Sequence, residues 1–389
     1  MTLVNLGVVN EPVKRTPLYA THCKLGARMT EFGGFAMPIQ YAGILGEHRA
    51  VRNAAGLFDL SHMGEFELRG KGALATLEHV LTNSAARLAD GQAQYTLMCT
   101  EEGGTIDDLI VYRHNADRYL LCVNAANIAA DWAQMSQMCA SGAELENISD
   151  ATGLIAIQGP RAEQILTPLT RLDLSHLRRF RVAEGEVAGV ASVVARTGYS
   201  GEDGVELFVS AENVCRLFDR LLEAGAPAGL EPCGLGARDT LRMEAGLPLY
   251  GHELDRETSP LEAGLEPFVR FNRNFVGEAA LLEQKAKGLR KKLIGLRTDD
   301  GRSVARQGYP LFRDGARVGV VTNGTFAPTF ARPLAMAYVD TAAGIDPADA
   351  PTGLTVEIRG RQAAATVVPL PFYRRERTVA SGTTGPRTQ

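Results

Sequence analysis

Two adjacent aspartates, Asp107 and Asp108, lie in an unusually apolar stretch of this 389-residue chain and are its strongest candidates for catalytic residues. They interrupt an apolar run, residues 105–112, that has the composition of a β-strand. Neighbouring side chains of a strand point to opposite faces, so Asp107 and Asp108 face opposite sides. Both faces are largely apolar, and an unpaired buried carboxylate is costly. The pattern leaves two interpretations open: a functional carboxylate in a protected space, or a salt bridge or charge at a sheet edge.

Glu206 is a second carboxylate in a comparable setting, on the predicted strand Val205–Val209 and on the same face as Phe208. A carboxylate there can accept two parallel N–H bonds from an amidine-like edge, such as that of a pterin or guanine. A solvated position on a half-buried strand is the commoner explanation of the same pattern.

Arg238 and Arg242 stand four residues apart on a predicted helix and therefore share a face. Such a pair can hold the carboxylate tail of a ligand. It can also belong to an internal ion-pair network with Asp239 and Glu244, which is the commoner arrangement. Met63, taken alone, has the pattern of an ordinary core methionine.

Standard metal-binding and catalytic motifs are absent from the sequence. The seven histidines are scattered, without H-E-x-x-H or a Cys/His cluster at metal spacing, so no metal is predicted. There is no Walker A loop, and Gly198–Glu202 fails the G-x-S-x-G pattern at its last position. The run Gly234–Asp239 begins like a dinucleotide-binding loop but lacks the third glycine.

The composition is that of an ordinary globular protein, with a net charge of -4 and a pI near 6.0. It lacks the basic excess typical of nucleic-acid binders, and no stretch approaches the ~18 apolar residues of a membrane helix. We therefore expect neither nucleic acid nor a membrane as a partner. The N-terminal residues show no signal or transit pattern, and no cysteines form C-x-x-C pairs, so a cytoplasmic protein with reduced thiols is predicted.

Alternation and turn residues predict a mixture of strands and helices. Strands are predicted at residues 66–68, 95–99, 105–112, 119–123, 154–157, 191–199, 205–209, 293–296, 318–321 and 355–358. Helices are predicted at residues 74–81, 161–169, 211–223 and 237–245, and from a cap at Asn124 or Asn127 through Met135. The basic segment Lys285–Lys292 is predicted to be a linker, or alternatively a contact for an acidic carrier protein.

A series of motifs, in a fixed order over about Thr16 to Tyr373, resembles the glycine-cleavage T-protein family. The motifs are Arg15–Tyr19, Phe32–Pro38, Gly56–Gly64, Gly103–Leu109, Asn124–Asn127, Arg196–Gly204, Gly236–Asp239 and Leu241–Gly246. Their common order is more specific than any one of them.

The resemblance implies an α+β fold, a three-domain ring around a central folate channel with a C-terminal β-barrel or jelly-roll domain. With the element pattern, it divides the chain into two α+β folate-binding regions, residues 1–150 and 151–285, whose strands can interleave in space. Residues 293–375 then form the barrel domain and residues 376–389 a disordered tail.

The family's activity implies that an aminomethyl group on the lipoyl arm of an H-protein partner is the donor and tetrahydrofolate the acceptor. The products are 5,10-methylenetetrahydrofolate, ammonia and the reduced carrier. Asp108 matches the family's essential aspartate, and Glu206 matches the residue on the pterin edge. The positions that match folate-contacting residues are Met63, Tyr95, Tyr112, Asn124, Tyr199, Arg238 and Tyr373.

The chain departs from the family at Leu265–Phe268, where members often carry a tryptophan and Phe268 is the candidate replacement. Two alternatives share the architecture: a folate-dependent demethylase, and a non-catalytic folate-binding relative in iron–sulfur protein maintenance. The first usually follows a flavin domain for which this chain has no room. The second carries a K-G-C-x-x-G-Q signature that is absent here.

Overall fold

The structure, a computed structural model, describes residues 13–345 and 353–375, so the predicted tail at residues 376–389 lies outside the described residues. The strands are β1 Lys14–Arg15, β2 Arg28–Phe32, β3 Phe35–Gln40, β4 Ala55–Asp59, β5 Gly64–Arg69, β6 Gln92–Cys99, β7 Thr105–Asn115, β8 Arg118–Val123, β9 Glu144–Asn147, β10 Thr152–Gln158, β11 Val182–Val187, β12 Val190–Ala195, β13 Gly204–Ser210, β14 Leu230–Pro232, β15 Lys291–Thr298, β16 Pro310–Arg313, β17 Ala316–Ala327, β18 Arg332–Asp340, β19 Leu354–Ile358 and β20 Arg361–Val368. The helices are α1 Tyr19–Lys24, α2 Ile44–Asn53, α3 Ala73–Val80, α4 Ile128–Gln137, α5 Ala162–Leu166, α6 Val214–Gly225, α7 Leu235–Glu244 and α8 Glu278–Lys287. Among these described helices, none is long and apolar enough to cross a membrane.

The aspartate pair lies in a five-stranded antiparallel sheet of order β6-β7-β8-β5-β9. The predicted hairpin of β6 and β7 is present, with Leu97 opposite Asp108 and Met98 opposite Asp107. On the other side of β7, β8 pairs from Ile110 onward. The two aspartates therefore precede the part of β7 that is paired on both sides. Beside them, β7 is paired with β6 alone, and its other edge can contact side chains or a ligand.

Glu206 lies in a six-stranded sheet of order β11-β12-β13-β10-β4-β14. Its strand β13 is central, since Glu206 is opposite Ala156 of β10 on one side and Ala195 of β12 on the other. The apolar strand β4 comes from the first part of the chain, yet it pairs with β10 and β14 in this sheet.

A buried apolar layer joins the two sheets. Tyr112 and Cys122 of the five-stranded sheet share one cluster with Ala156 and Phe208 of the six-stranded sheet. The rings of Tyr112 and Phe208 meet edge to face at 5.3 Å between centroids, a favourable aromatic arrangement. This contact places the side chains that follow Asp108 on β7 against the strand that carries Glu206.

The C-terminal strands form a closed antiparallel barrel in the order β15-β18-β17-β16-β19-β20. Closure leaves no free sheet edge, and its apolar interior includes Ile294, Val321 and Val356. The barrel confirms one of the two C-terminal architectures that were expected. A small sheet of order β1-β3-β2 completes the described strands.

Three local predictions were wrong. Residues 285–287 are the last turn of α8, and Lys291 already begins β15, so residues 288–290 alone connect them. Strand β12 ends at Ala195, which leaves Tyr199 on a loop. Asn127 stands at the N-cap position of α4 but makes no capping hydrogen bond, because its amide is turned toward β7.

Candidate active site

Asp107 is completely buried, and three N–H groups of neutral amides donate hydrogen bonds to it. Its Oδ2 receives the backbone N–H of Asn124 at 2.9 Å. Its Oδ1 receives the side-chain amides of Asn124 at 2.8 Å and Asn127 at 2.6 Å. Burial raises the pKa of Asp107, and these hydrogen bonds oppose that rise. These hydrogen bonds hold the carboxyl group of Asp107 in one orientation, so its role is structural.

The carboxyl group of Asp108 shares the side-chain amide of Asn124 with that of Asp107. Its Oδ2 accepts the hydroxyl hydrogen of Tyr95 at 2.9 Å, and its Oδ1 lies 3.0 Å from the amide nitrogen of Asn124. Burial, followed by the neighbouring charge of Asp107, raises the pKa of Asp108 to about 7. A carboxyl group that titrates near neutrality can exchange a proton with a ligand under physiological conditions.

Tyr95 and Asn124 thus lie with Asp108, as the family resemblance implied. Tyr95 also meets the ring of Phe268 edge to face, with 4.7 Å between centroids. Phe268 therefore supplies an aromatic wall beside the aspartate at the place where the family often has a tryptophan.

Glu206 forms the second part of the site. Its Oε2 accepts the hydroxyl hydrogens of Thr197, in a short contact, and of Tyr112 at 3.4 Å. Among the described residues no donor occupies Oε1, which leaves that oxygen for a ligand. Burial raises the pKa of Glu206, opposed by the Thr197 hydrogen bond and by the charge of Arg238.

Arg238 and Arg242 have different surroundings although they share a face of α7. Arg242 is fully buried and pairs with Glu253 at 2.7 Å and with Asp239 at 2.8 Å. The guanidinium of Arg238 lies 4.5 Å from the ring centroid of Tyr199 and, among the described residues, has no carboxylate in salt-bridge contact. The ion-pair interpretation is therefore correct for Arg242, whereas Arg238 remains available to an anionic ligand.

Tyr199 connects the two parts of the site. Burial raises the pKa of its hydroxyl, and the charges of Asp108 and Arg238 both act on it. Its hydroxyl donates a hydrogen bond to the carbonyl oxygen of Pro248, which fixes the ring. Met63 packs against the apolar cluster that contains Tyr112.

Tyr373 lies apart from this group. Its hydroxyl donates to Glu202 Oε1 at 2.6 Å, and the guanidinium of Arg52 stacks 3.8 Å from its ring centroid. These contacts belong to a network of ion pairs between α2 and α7, and the role of Tyr373 toward folate stays a prediction.

Sequence reasoning missed Thr197, Asn127 and Asp131. Asn127 and Asp131 are one helical turn apart on α4 and both are buried. Two polar residues four positions apart on the inward face of a predicted helix could have identified this pair. Thr197 had none, because its contact with Glu206 depends on the course of a loop.

The site as a whole has a titratable carboxyl group, that of Asp108, at one end. At the other end, Glu206 has an oxygen without a donor near the guanidinium of Arg238, which has no salt-bridge partner among the described residues. The site can hold a flat, hydrogen-bonding heterocycle and act on an atom of that ligand near Asp108.

Two family descriptions match the chain: the GCVT N-terminal domain over residues 18–273 and the glycine cleavage T-protein C-terminal barrel domain over residues 291–374. The chain is 48% identical over 369 residues to an aminomethyltransferase of Desulfitobacterium hafniense, covering 94% of this chain and 99% of that protein. It is 50% identical over 376 residues to an aminomethyltransferase of Symbiobacterium thermophilum, again covering 94% and 99%.

Among solved structures, the chain is similar to the glycine cleavage system aminomethyltransferase T of Bartonella henselae. The TM-score is 0.85 at 35% identity, over 93% of this chain and 98% of that chain. Matches of this extent include both sheets, the barrel and every residue of the site. The chain therefore belongs to the glycine cleavage T-protein family.

Proposed function

We propose that this protein is the aminomethyltransferase of a glycine cleavage system. It transfers the methylene carbon of an aminomethyl group, carried on the lipoyl arm of the H-protein, to tetrahydrofolate. The products are 5,10-methylenetetrahydrofolate, ammonia and the dihydrolipoyl H-protein. The names of its relatives support the activity, and the pocket supports the folate acceptor.

The observation that carries the proposal is the placement of Asp108 in a pocket without a paired cation. Tyr95 and Asn124 hold its carboxyl group in place. Because its pKa is about 7, Asp108 is partly ionised at neutral pH, the state in which it can accept a proton or stabilise developing positive charge. Tetrahydrofolate, when bound, would supply N5 as the nucleophile, and Asp108 would act on the reacting group.

The residues at the other end fit a pterin edge and the distal part of a folate. Glu206 Oε1 accepts from the N–H groups of the pterin edge while Thr197 and Tyr112 hold Oε2. Arg238 attracts the distal anionic part of the ligand, since its guanidinium stacks on Tyr199 and is not already paired with a carboxylate. Met63 packs against the apolar cluster that contains Tyr112 and would contribute apolar contact to the ligand.

We expect the protein to act in the cytoplasm, with the H-protein as its macromolecular partner. No observation favours a demethylase or an iron–sulfur maintenance role. Phe268 stands where family members often have a tryptophan, and its ring packs against Tyr95. An aromatic side chain is therefore kept at this position.

The test is ammonia release from aminomethylated H-protein by the purified protein, with and without tetrahydrofolate. We expect rapid release and matching formation of 5,10-methylenetetrahydrofolate only when all three are present. Release that is independent of tetrahydrofolate, or no release with a functional H-protein, would contradict the proposal.

A further inference from the structure

A third carboxyl group, that of Asp131, lies behind the aspartate pair. Asp131 is on α4 and is fully buried. Asn127, one helical turn earlier on the same face, donates to Asp107 at 2.6 Å, which places the Asp131 carboxyl group beside that of Asp107. Among the described residues, however, neither Asp131 oxygen has an N–H or O–H donor as partner.

These facts fit only one protonation state. Two ionised carboxylates have no proton with which to form a hydrogen bond, and they repel each other. Asp107 already accepts three N–H bonds from Asn124 and Asn127, so it is the better acceptor and the better place for the negative charge. Asp131, which lacks any donor, is the better place for the proton.

Among the described residues, no buried cation is placed to neutralise an ionised Asp131. The charged groups that act on Asp131 are Asp107 and Asp108 of β7 and Arg256 of the loop after β14 and α7. Arg256 is exposed, and Tyr250 is the nearby titratable hydroxyl. Within residues 13–345 and 353–375, no group of three or more His, Cys, Asp or Glu side chains is arranged to hold a metal ion.

We propose that Asp131 is a protonated carboxylic acid that donates to Asp107 and thereby positions Asp107, Asn124 and Asp108. Asp131 acts through Asp107, whose two oxygens fix both N–H groups of Asn124. Asn124 in turn contacts Asp108, the group proposed to act on the substrate. The protonation state stands on the structure alone, whereas the effect on catalysis rests on the proposed function.

The direction of the pKa agrees with this state. Burial, followed by the charge of Asp107, raises the pKa of Asp131 to about 11. An ordinary aspartate, as in the unfolded chain, titrates at 3.8. Between these values the folded protein holds a proton that the unfolded chain releases, so stability is complete below 3.8 and falls as pH rises toward 11.

This linkage gives the first test, which needs neither folate nor the H-protein. Asp131→Asn keeps the shape and an N–H donor but removes the titration. The unfolding constant of the wild type should rise about tenfold per pH unit relative to that of D131N between pH ~5 and ~9. Urea unfolding followed by the fluorescence of Trp132, the sole tryptophan and the next residue on α4, reports this difference. A ratio that stays constant with pH would show that Asp131 is ionised and would overturn the proposal.

Infrared difference spectroscopy between the wild type and D131N reads the proton directly. We expect a protonated carboxylic-acid carbonyl band at neutral pH in the wild type that is missing in D131N. Identical spectra in that region would also overturn the proposal.

The positioning role needs a comparison of two variants in the complete methylene-transfer assay. Asp131→Leu removes the donor and should lower kcat by about tenfold or more with little change in the KM for folate, and D131N should recover most of that loss. A folded D131L with wild-type kcat would remove the positioning role. If the wild type itself fails to transfer methylene, the proposed function is wrong, while the unfolding and infrared tests still decide the protonation of Asp131.

Discussion

Two buried charged regions among the described residues differ in how their charges are balanced. Around α7, Arg52 lies between Glu202 and Glu244, each at 2.9 Å, and Arg242 pairs with Glu253 at 2.7 Å. Beside β7, the buried aspartates are held by amides and a hydroxyl and have no cation in salt-bridge contact among the described residues.

The pKa directions follow this difference. Burial alone raises the pKa of Glu244, but hydrogen bonds from His48, Thr329 and Arg52 outweigh it and lower the pKa. For Asp108, burial and the charge of Asp107 act in the same direction and raise the pKa to about 7. Paired charges thus stabilise the fold, and the unpaired aspartates retain a proton affinity that is useful for chemistry.

The largest expected effect is that of Asp108→Asn on methylene transfer. The substitution keeps the contacts of the side chain with Tyr95 and Asn124 in shape but removes the ionisable group. We expect kcat to fall by about 10²–10⁴-fold, the usual contribution of a general acid or base, with folate binding retained.

The matched control is Asp117→Asn, which changes an exposed aspartate in the turn after the same strand. It should leave transfer unchanged. Equal losses in the two variants would mean that the effect of Asp108 is not local.

Arg242→Met should mainly destabilise the protein. It leaves the buried carboxylate of Glu253 without its cation, and breaking a buried pair costs about 3–5 kcal/mol. Chemical unfolding measures the loss.

Arg238→Met, four residues earlier, should change stability little but weaken folate binding. The guanidinium of Arg238 stacks on Tyr199 and has no salt bridge to a carboxylate among the described residues, so its removal leaves no protein charge unpaired. Similar stability losses in both variants would contradict the distinction between the two arginines.

Glu206→Gln should weaken folate binding by about 1.5–3 kcal/mol, the contribution of a hydrogen bond to a charged group. The glutamine keeps the shape of the side chain but removes the negative charge that the N–H groups of the pterin edge would bind. Calorimetry with tetrahydrofolate measures the change. Glu186→Gln, at an exposed position of β11, is the control and should leave the affinity unchanged. Equal affinity for wild type and E206Q would remove the pterin-edge role.

The smallest expected effect is at the basic segment between α8 and β15. Arg290 is 82% exposed and its nearest carboxylate is 3.8 Å away, so Arg290→Glu should not disturb the fold. If the segment contacts an acidic carrier, H-protein binding should weaken by about 1 kcal/mol or less, and less still at high salt. Unchanged binding at low salt would remove the idea.

The sequence predicted the carboxylates better than their surroundings. Alternation along β7 identified Asp108 because strand periodicity is local, and the paired apolar strands reproduce it. The same reasoning could not separate Arg238 from Arg242, since both lie on one face of α7 and their difference comes from Glu253, outside the helix. Asp131 was missed for the same reason: its partner Asp107 is on a strand 24 positions earlier, and tertiary packing alone brings them together.

The proposed function requires an ionised Asp108, which is held by Tyr95 and Asn124 and has no cation in salt-bridge contact among the described residues. The most direct test is the pH dependence of single-turnover methylene transfer by the wild type and Asp108→Asn. Because the raised pKa of Asp108 keeps it neutral below about 7, wild-type transfer should rise through that pH and level off above it. The residual transfer by D108N should be flat across the same range. An identical acidic limb in both proteins would show that another group controls the reaction.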